Sequence, residues 1–273
     1  MEQPKISIIM AIYNDSQYLA DAIDSVLKQT YANWELIIVN DASTDNVEPL
    51  IQNFQKKDSR IKYFINAKNN GQTSSLNHGV KLATGEFIGR IDSDDIWEDD
   101  SKLQKQVDFF LLHPDHGLVG SWANTIDLKG NKIADLTYPV EDDKIRNYLL
   151  IESCFIHSSV LIRKSILDRV NIYDKRYYYA QDYDLWLRIG AVSRLHNIPE
   201  YMVNYRIKPS GISQTKYSEQ LRETIEIVKS HRYEYKYFLL SITLWHMRPI
   251  FPKNLREGIS RNLRKFLISN SYL

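Results

Sequence analysis

The first 90 residues alternate between short apolar runs and amphipathic segments, and this alternation limits the possible folds more than any other feature of the chain. Strands are predicted at 5–13, 35–39, 61–65 and 86–91. The first is a continuous run rich in β-branched residues, which is typical of a strand buried on both faces of a parallel sheet. Apolar residues at helical spacing follow each of the first three strands. The pattern predicts a Rossmann-like α/β fold with a mostly parallel central sheet.

The remainder of the chain is less regular, and it shows no internal repeat or low-complexity linker. Helices are predicted at 100–112, 164–170 and 182–189, strands at 118–123, 160–162, 194–198 and 202–206, and a hairpin or tight turn at 128–132. Beyond residue 213 the apolar residues again have helical spacing. We therefore expect a body formed by 1–213 and a helical C-terminal extension formed by 214–273.

Composition excludes several classes of protein. A formal net charge of +1 over 273 residues gives no support to nucleic-acid binding. The extension 214–273 is nevertheless basic, with 11 Lys and Arg against 5 Glu. Cys154 is the only cysteine, which excludes an internal disulfide and a cysteine-based zinc cluster. The start of the chain does not resemble a signal peptide, and no apolar run reaches the roughly 20 residues that span a bilayer. We expect a cytoplasmic protein.

Three carboxylates follow the fourth strand directly. Alternation along a strand directs Asp92 and Asp94 to the same side, at the sheet edge where open α/β sheets bind ligands. Two neighbouring carboxylates repel unless a cation lies between them, and oxygen ligands on a short loop suit Mg²⁺ or Mn²⁺ that also holds a phosphate. The sequence therefore predicts a metal–diphosphate site. The alternative is a solvated acidic turn that caps the next helix.

Five ordered segments resemble the family 2 glycosyltransferases of the GT-A fold, specifically the non-processive bacterial type. They lie at 6–14, 36–45, 71–79, 87–95 and 180–188, and the resemblance covers about residues 5–215. It implies that 1–98 bind the nucleotide and that 99–213 bind the acceptor.

The resemblance assigns the donor site. It implies that Asp94 ligates the metal directly and that Asp92 holds the ribose or a metal-bound water. Asp41 would accept a hydrogen bond from a uracil N–H, although an Asx turn is the alternative for this residue. The predicted donor-binding residues are Ala11, Tyr13, Asp41, Asp92, Ser93, Asp94 and Lys208.

Two departures from the family pattern concern catalysis and the metal. Asp182 matches the catalytic base, which would deprotonate the acceptor hydroxyl, but Gln181 precedes it where family members commonly have Glu. Asp184 is the competing candidate for the catalytic base. Lys208 lies where many members have a metal-binding histidine, and an ammonium cannot ligate a metal. We expect Lys208 either to contact the diphosphate directly or to be a solvated loop residue.

The acceptor site is predicted to include Trp97, His157 and Gln181. An aromatic face suits the C–H face of a sugar ring, so Trp97 is placed near the acceptor and Trp186 in the core. For His157 the alternative is a purely structural histidine.

The resulting prediction is an inverting, metal-dependent hexosyltransferase. It would use Mn²⁺ or Mg²⁺ and a nucleotide sugar, UDP-linked by preference, and act on a saccharide or lipid-linked acceptor in bacterial surface polysaccharide or lipopolysaccharide synthesis. The basic extension would contact the inner membrane face, or serve as a helical buttress or dimer contact. Two alternatives remain. A sugar nucleotidyltransferase would need a Gly-rich, basic loop after the first strand, and 13–16 lack it. A non-catalytic binding module is compatible with Gln181 and Lys208.

Overall fold

The structure is a computed structural model that describes residues 3–211 and 215–250. Its central sheet has the strand order β3-β2-β1-β4-β8-β6-β9-β5, with β7 paired to β6. The strands are β1 Ile6–Ile12, β2 Trp34–Asn40, β3 Ile61–Ile65, β4 Phe87–Arg90, β5 Ile96–Trp97, β6 His116–Ile126, β7 Lys132–Leu136, β8 Leu161–Arg163 and β9 Arg194–Arg206. β1 to β4 pair in parallel, which confirms the predicted first half. The second half is mixed, since β8 lies antiparallel to both β4 and β6.

Helices cover both faces of the sheet. They are α1 Ser16–Leu27, α2 Val47–Lys57, α3 Gln72–Leu82, α4 Lys102–Leu112, α5 Asp142–Leu149, α6 Lys164–Val170, α7 Gln181–Val192, α8 Tyr217–Ser230 and α9 Phe238–Met247. Alternate side chains of β1 enter different cores: Ile8 and Met10 pack with α1, α2 and α4, whereas Ile9 packs with α3. Burial on both faces explains why β1 reads as an unbroken apolar run.

Several elements of the second half differ from the predicted ones. The strands predicted at 194–198 and 202–206 form one strand, β9, because a register shift opposite Ser121 and Trp122 accommodates the segment containing Pro199. The short helix α5 and the two-residue strand β5 were not predicted.

The C-terminal helices pack on the body through the core that contains α7. Leu221 and Ile227 of α8 and Trp245 of α9 are buried there, and Trp245 donates an indole hydrogen bond to the carbonyl oxygen of Leu150 at 2.9 Å. No helix in the described ranges combines the length and the apolarity that crossing a bilayer requires. The basic positions from 251 onward lie outside the described residues.

The amino ends of the strands are joined by a buried carboxylate. Glu35 is 2% exposed and accepts from the ammonium groups of Lys5 at 3.0 Å and Lys62 at 2.5 Å. It also accepts from the hydroxyl of Ser7 at 2.6 Å and from the backbone N–H of Thr84 at 3.0 Å. Burial opposes ionisation, but these donors together hold the pKa of Glu35 well below its usual value.

Replacement of Glu35 should therefore lower stability without changing the opposite end of the sheet. We expect Glu35→Ala to reduce the free energy of unfolding at pH 7 by about 3 kcal/mol, because it leaves two lysines and two buried donors without their acceptor. Because the folded-state pKa is lowered, the stabilisation is complete above the unfolded-state pKa and disappears as the pH falls through the folded-state pKa. Chemical denaturation at several pH values measures both effects.

Asp168→Ala is the matched control. Its carboxylate is 57% exposed and pairs with Lys164 on the surface, so its loss should cost under about 1 kcal/mol. Equal destabilisation by the two substitutions would contradict a special role for Glu35.

Candidate active site

An open cleft of about 1140 Å³ lies at the carboxyl ends of β1, β2 and β4, bordered by the start of α7 and by α8 and α9. This is the edge at which open α/β sheets bind ligands. All the predicted site residues except Trp97 line it: Ala11, Tyr13, Asp41, Asp92, Ser93, Asp94, His157, Gln181, Asp182 and Lys208.

Asp92 is paired with a cation from its own strand. The guanidinium of Arg90 contacts its Oδ1, Gln72 Nε2 donates to the same oxygen at 3.2 Å, and Ser158 Oγ donates to Oδ2 at 3.3 Å. Burial opposes ionisation, but Arg90 and the hydrogen bonds hold the pKa of Asp92 below its usual value. Arg90 was not among the residues predicted from the sequence. The sequence feature that could have identified it is a charged residue at the end of an apolar strand, two positions before Asp92 and therefore on the same face.

Asp94 contacts Lys208, whose ammonium lies between two carboxylates. Lys208 Nζ is 2.7 Å from Asp94 Oδ2 and 2.9 Å from Asp15 Oδ1. The other oxygen of Asp15 accepts from Ser93 Oγ at 2.8 Å. Burial and the charge of Asp92 raise the pKa of Asp94, and Lys208 opposes this rise. Asp15 occupies the N-cap position of α1, but its side chain makes no cap hydrogen bond and forms part of the site instead.

The third carboxylate is structural. Asp95 is 1% exposed, and its Oδ1 accepts from the backbone N–H of Arg206 at 2.9 Å, while Ser158 Oγ contacts its Oδ2. The Arg206 guanidinium donates to the carbonyl oxygen of Asp94 at 2.9 Å. Burial and the two neighbouring carboxylates raise the pKa of Asp95 well above its usual value. Arg206 therefore fixes the loop from both sides, and Lys208 follows it two residues later.

The donor set suits a metal that arrives with a phosphate ligand. Asp94 Oδ1 has no hydrogen-bond or ion-pair partner among the described residues. Mg²⁺ and Mn²⁺ are often held by one or two carboxylates together with substrate phosphates. Within the described ranges, no group of three or more His, Cys, Asp and Glu could hold an ion by itself. Asp94 and Asp92 therefore fit an ion that a diphosphate also ligates.

Asp41 organises the neighbouring loop. Its carboxylate accepts from Asn66 Nδ2 at 2.8 Å and from the backbone N–H groups of Asn70 at 3.0 Å and Gly71 at 2.7 Å. The Asx-type contact to the backbone of Ser43 comes from a different residue, the one that precedes Asp41. A carboxylate offers about four acceptor sites, so room remains for one ligand donor. Recognition of a uracil by Asp41 stays a prediction, as does the base pocket of Ala11 and the half-exposed Tyr13.

Asp182 is the second residue of α7 and is half-buried at the cleft. Its Oδ1 accepts from the backbone N–H of Tyr183 at 2.8 Å. Burial, with a contribution from Asp92, raises the pKa of Asp182 to about 6. Asp184 has a different environment, because it is 3% exposed and its Oδ2 lies 2.6 Å from Arg188 Nη2. Of the two carboxylates, only Asp182 lines the cleft.

A hydrogen-bonded chain joins the Asp182 side of the cleft to the Asp92 side. Gln181 Nε2 donates to Gln72 Oε1 at 3.3 Å, and Gln72 Nε2 donates to Asp92 Oδ1 at 3.2 Å. A carboxylate only accepts, so it fixes the orientation of Gln72 and, through it, that of Gln181. A glutamate at 181 could not donate to Gln72 Oε1. The Nε2 donor of Gln181, the residue that departs from the family pattern, is therefore complementary to the Oε1 acceptor of Gln72.

The remaining predictions concern aromatic residues and a histidine. His157 lines the cleft, where its Nε2 lies 2.8 Å from the hydroxyl of Tyr173, and burial lowers its pKa to about 3, so it is neutral. The placement of Trp97 near the acceptor is corrected. Its ring is 1% exposed in the core beneath the Lys102 ammonium, so neither face can receive a sugar. Trp186 is fully buried in the core, as expected.

Comparisons with known proteins agree with this architecture. The model of the family described as Glycosyl transferase family 2 matches residues 7–170. The chain is 33% identical to WfgD of Escherichia coli, named UDP-Glc:alpha-D-GlcNAc-diphosphoundecaprenol beta-1,3-glucosyltransferase, over 82% of this chain and 85% of WfgD. The family match alone covers more than half of the chain.

Two solved structures share the fold at low sequence identity. S. aureus TarS in complex with UDP-GlcNAc has a TM-score of 0.70 at 16% identity, over 89% of this chain and 73% of that one. The mannosyltransferase PcManGT of Pyrobaculum calidifontis, in complex with GDP-Man and Mn²⁺, has a TM-score of 0.64 at 16% identity, over 98% and 83%. The chain therefore belongs to glycosyl transferase family 2 and has a GT-A fold.

Proposed function

We propose that this protein is an inverting hexosyltransferase that moves a sugar from a UDP-sugar to a saccharide acceptor. The observation that carries the proposal is that one cleft is lined both by residues that suit a diphosphate and by a carboxylate that suits a general base. One side presents Asp94 and Lys208, which suit a diphosphate, and the other presents Asp182, a half-buried carboxylate whose pKa is raised to about 6. Donor activation and acceptor deprotonation require these two groups on opposite sides of the reacting carbon.

The donor side supplies positive charge to the leaving group. Asp94, with Asp92 beside it, would hold a divalent ion, which supplies Lewis-acid stabilisation of the departing diphosphate when bound. The Lys208 ammonium, 2.7 Å from Asp94 Oδ2, would donate hydrogen bonds to the phosphate oxygens. Arg90 neutralises Asp92 and limits its repulsion of the incoming phosphates. UDP is the preferred nucleotide because WfgD and TarS are named with UDP-sugars.

The acceptor side supplies the base. An ionised Asp182 takes the proton from the attacking hydroxyl as the oxygen bonds to the anomeric carbon and the diphosphate leaves from the opposite face. One displacement inverts the configuration. A base with a pKa about one unit below neutral is ionised at pH 7 and still accepts a proton effectively. The acceptor is proposed to be a lipid-linked saccharide, since the name of WfgD includes a diphosphoundecaprenol acceptor.

Lys208→Ala should weaken nucleotide binding, and more strongly without metal than with it. Loss of a charge-assisted hydrogen bond and of the ammonium that lies between Asp94 and Asp15 should raise the Kd for UDP about 10- to 100-fold without Mn²⁺. With Mn²⁺ the increase should be smaller. Lys208→His should bind UDP in a more Mn²⁺-dependent manner. Calorimetry of UDP binding with and without Mn²⁺ measures each value.

Lys56→Ala on the exposed surface of α2 is the control and should leave the Kd unchanged. An unchanged Kd in Lys208→Ala would remove Lys208 from the donor site. Failure of the wild-type protein to bind UDP, GDP or CMP with or without Mn²⁺ would instead favour a non-catalytic module.

Asp182→Asn should abolish sugar transfer and leave donor binding intact. We expect kcat to fall about 10²- to 10⁴-fold while the Kd for UDP stays within about twofold, because the carboxylate acts on the acceptor. In the wild-type protein kcat/KM should decrease about tenfold per pH unit below the Asp182 pKa of about 6, where the base becomes protonated. Transfer from a panel of UDP-sugars, followed as UDP release, provides the rates.

Asp184→Asn separates the two neighbouring carboxylates. Because Asp184 pairs with Arg188 in the core, this variant should have a lower Tm and a kcat within a few-fold of the wild type. If instead Asp184→Asn removed activity and Asp182→Asn did not, the base would be assigned wrongly.

A further inference from the structure

We propose that Glu223, on the C-terminal helix α8, is a positioning residue for the Asp182 base. This inference rests on the proposed function, because it concerns the same reaction. Glu223 lies 41 positions beyond Asp182 in sequence and outside the residues 7–170 that the family model matches. It touches neither the donor side nor Asp182 itself.

The Glu223 carboxylate accepts hydrogen bonds from consecutive backbone N–H groups directly before α7. Its Oε2 accepts from the N–H groups of Tyr178 at 3.1 Å, Tyr179 at 2.7 Å and Ala180 at 3.0 Å, and its Oε1 accepts from Tyr178 at 3.0 Å. Gln181 then begins the helix, and Asp182 is its second residue. Adjacent N–H groups that converge in this way form an anion-binding concavity, which Glu223 fills from within the chain.

The burial of Glu223 shows that this contact is specific. The residue is 9% exposed, and no described Lys, Arg or His forms an ion pair with it. A buried carboxylate without a cation depends on its hydrogen bonds, so it is held where the three N–H groups are. A second residue of α8 also holds this segment, as a donor rather than as an acceptor. Gln220 Nε2 donates to the carbonyl oxygen of Tyr179 at 2.9 Å.

The segment held by Glu223 also contacts the donor side. A Cβ atom at Gly71 would come within 2.3 Å of the Tyr178 ring, so this ring lies directly on a glycine whose N–H is bound by Asp41. Gly71 has a φ of 85°, which favours glycine. Movement of the 178–180 segment would therefore shift the start of α7 and release Tyr178 from the donor-side loop. A displacement of about 1 Å at a reacting group can cost about 10²-fold in rate.

The first test compares Glu223→Ala and Glu223→Gln with the wild type. A glutamine keeps one oxygen for the 179 and 180 amides and loses the acceptor for one bond, so kcat should fall in the order wild type, Gln, Ala, with about a 100-fold loss for Ala. The Kd for UDP should stay within about threefold. Glu226→Ala, exposed on the same helix, is the matched control and should match the wild type. If both Glu223 variants folded and retained wild-type kcat, the proposal would be overturned.

A double-variant cycle distinguishes positioning from a general loss of structure. If Glu223 acts through Asp182, Glu223→Ala should cost under about threefold when Asp182 is already Asn, because no base remains to be positioned. An equal loss in both backgrounds would contradict the proposal. The rates are followed as UDP release from the best wild-type UDP-sugar.

Amide hydrogen exchange gives a result that does not depend on activity. The 178–180 amides should exchange at least about 10-fold faster in Glu223→Ala than in the wild type and be unaffected in Glu226→Ala. Slow exchange in Glu223→Ala would overturn the proposal even in an inactive protein. If the wild-type protein neither transfers nor hydrolyses a UDP-sugar, the proposed function fails, and the exchange result still decides whether Glu223 orders the segment.

Discussion

Three carboxylates at the end of one strand cannot share a site unless positive charge or a proton accompanies them. In this protein the negative charge of each carboxylate is compensated in a different way. Arg90 pairs with Asp92, and Lys208 from the segment after β9 pairs with Asp94. Burial raises the pKa of Asp95, which lies against Ser158 and the backbone of Arg206. The edge of the sheet is therefore preorganised before a ligand arrives, and Asp94 Oδ1 has no partner among the described residues. Electrostatic preorganisation of this kind is a large contribution to catalysis.

The same edge draws together residues that are distant in sequence. Lys208 reaches back to Asp15, and the chain from Gln181 through Gln72 reaches Asp92. The C-terminal helices contribute as well, since α8 holds the segment before α7 and α9 packs in the same core. The separation of a catalytic body at 1–213 from an extension with a different role stays a prediction. In the described residues, however, α8 is part of the framework of the cleft.

The alternation of strands and helices predicted the first half of the fold because its periodicity is local. It also placed Asp92 and Asp94 at the edge of the sheet that borders the cleft, because residues that directly follow a parallel strand lie at its carboxyl end. The partner of Asp94 could not be predicted, because the contact between Lys208 and Asp94 depends on how the mixed half of the sheet folds back. Trp97 was misplaced for a related reason. An aromatic residue beside a polar loop gives no sign of whether its ring faces the cleft or the core, and here Lys102 covers it.

The central claim is a single displacement at the anomeric carbon with one carboxylate base. The measurement that tests it most directly is the configuration of the sugar released or transferred from an α-linked UDP-sugar such as UDP-GlcNAc, determined by proton NMR before mutarotation. A β product, with its large coupling at the anomeric proton, is the expected result. An α product would require two displacements or a different reacting face, and it would contradict the assignment of Asp182 as the base.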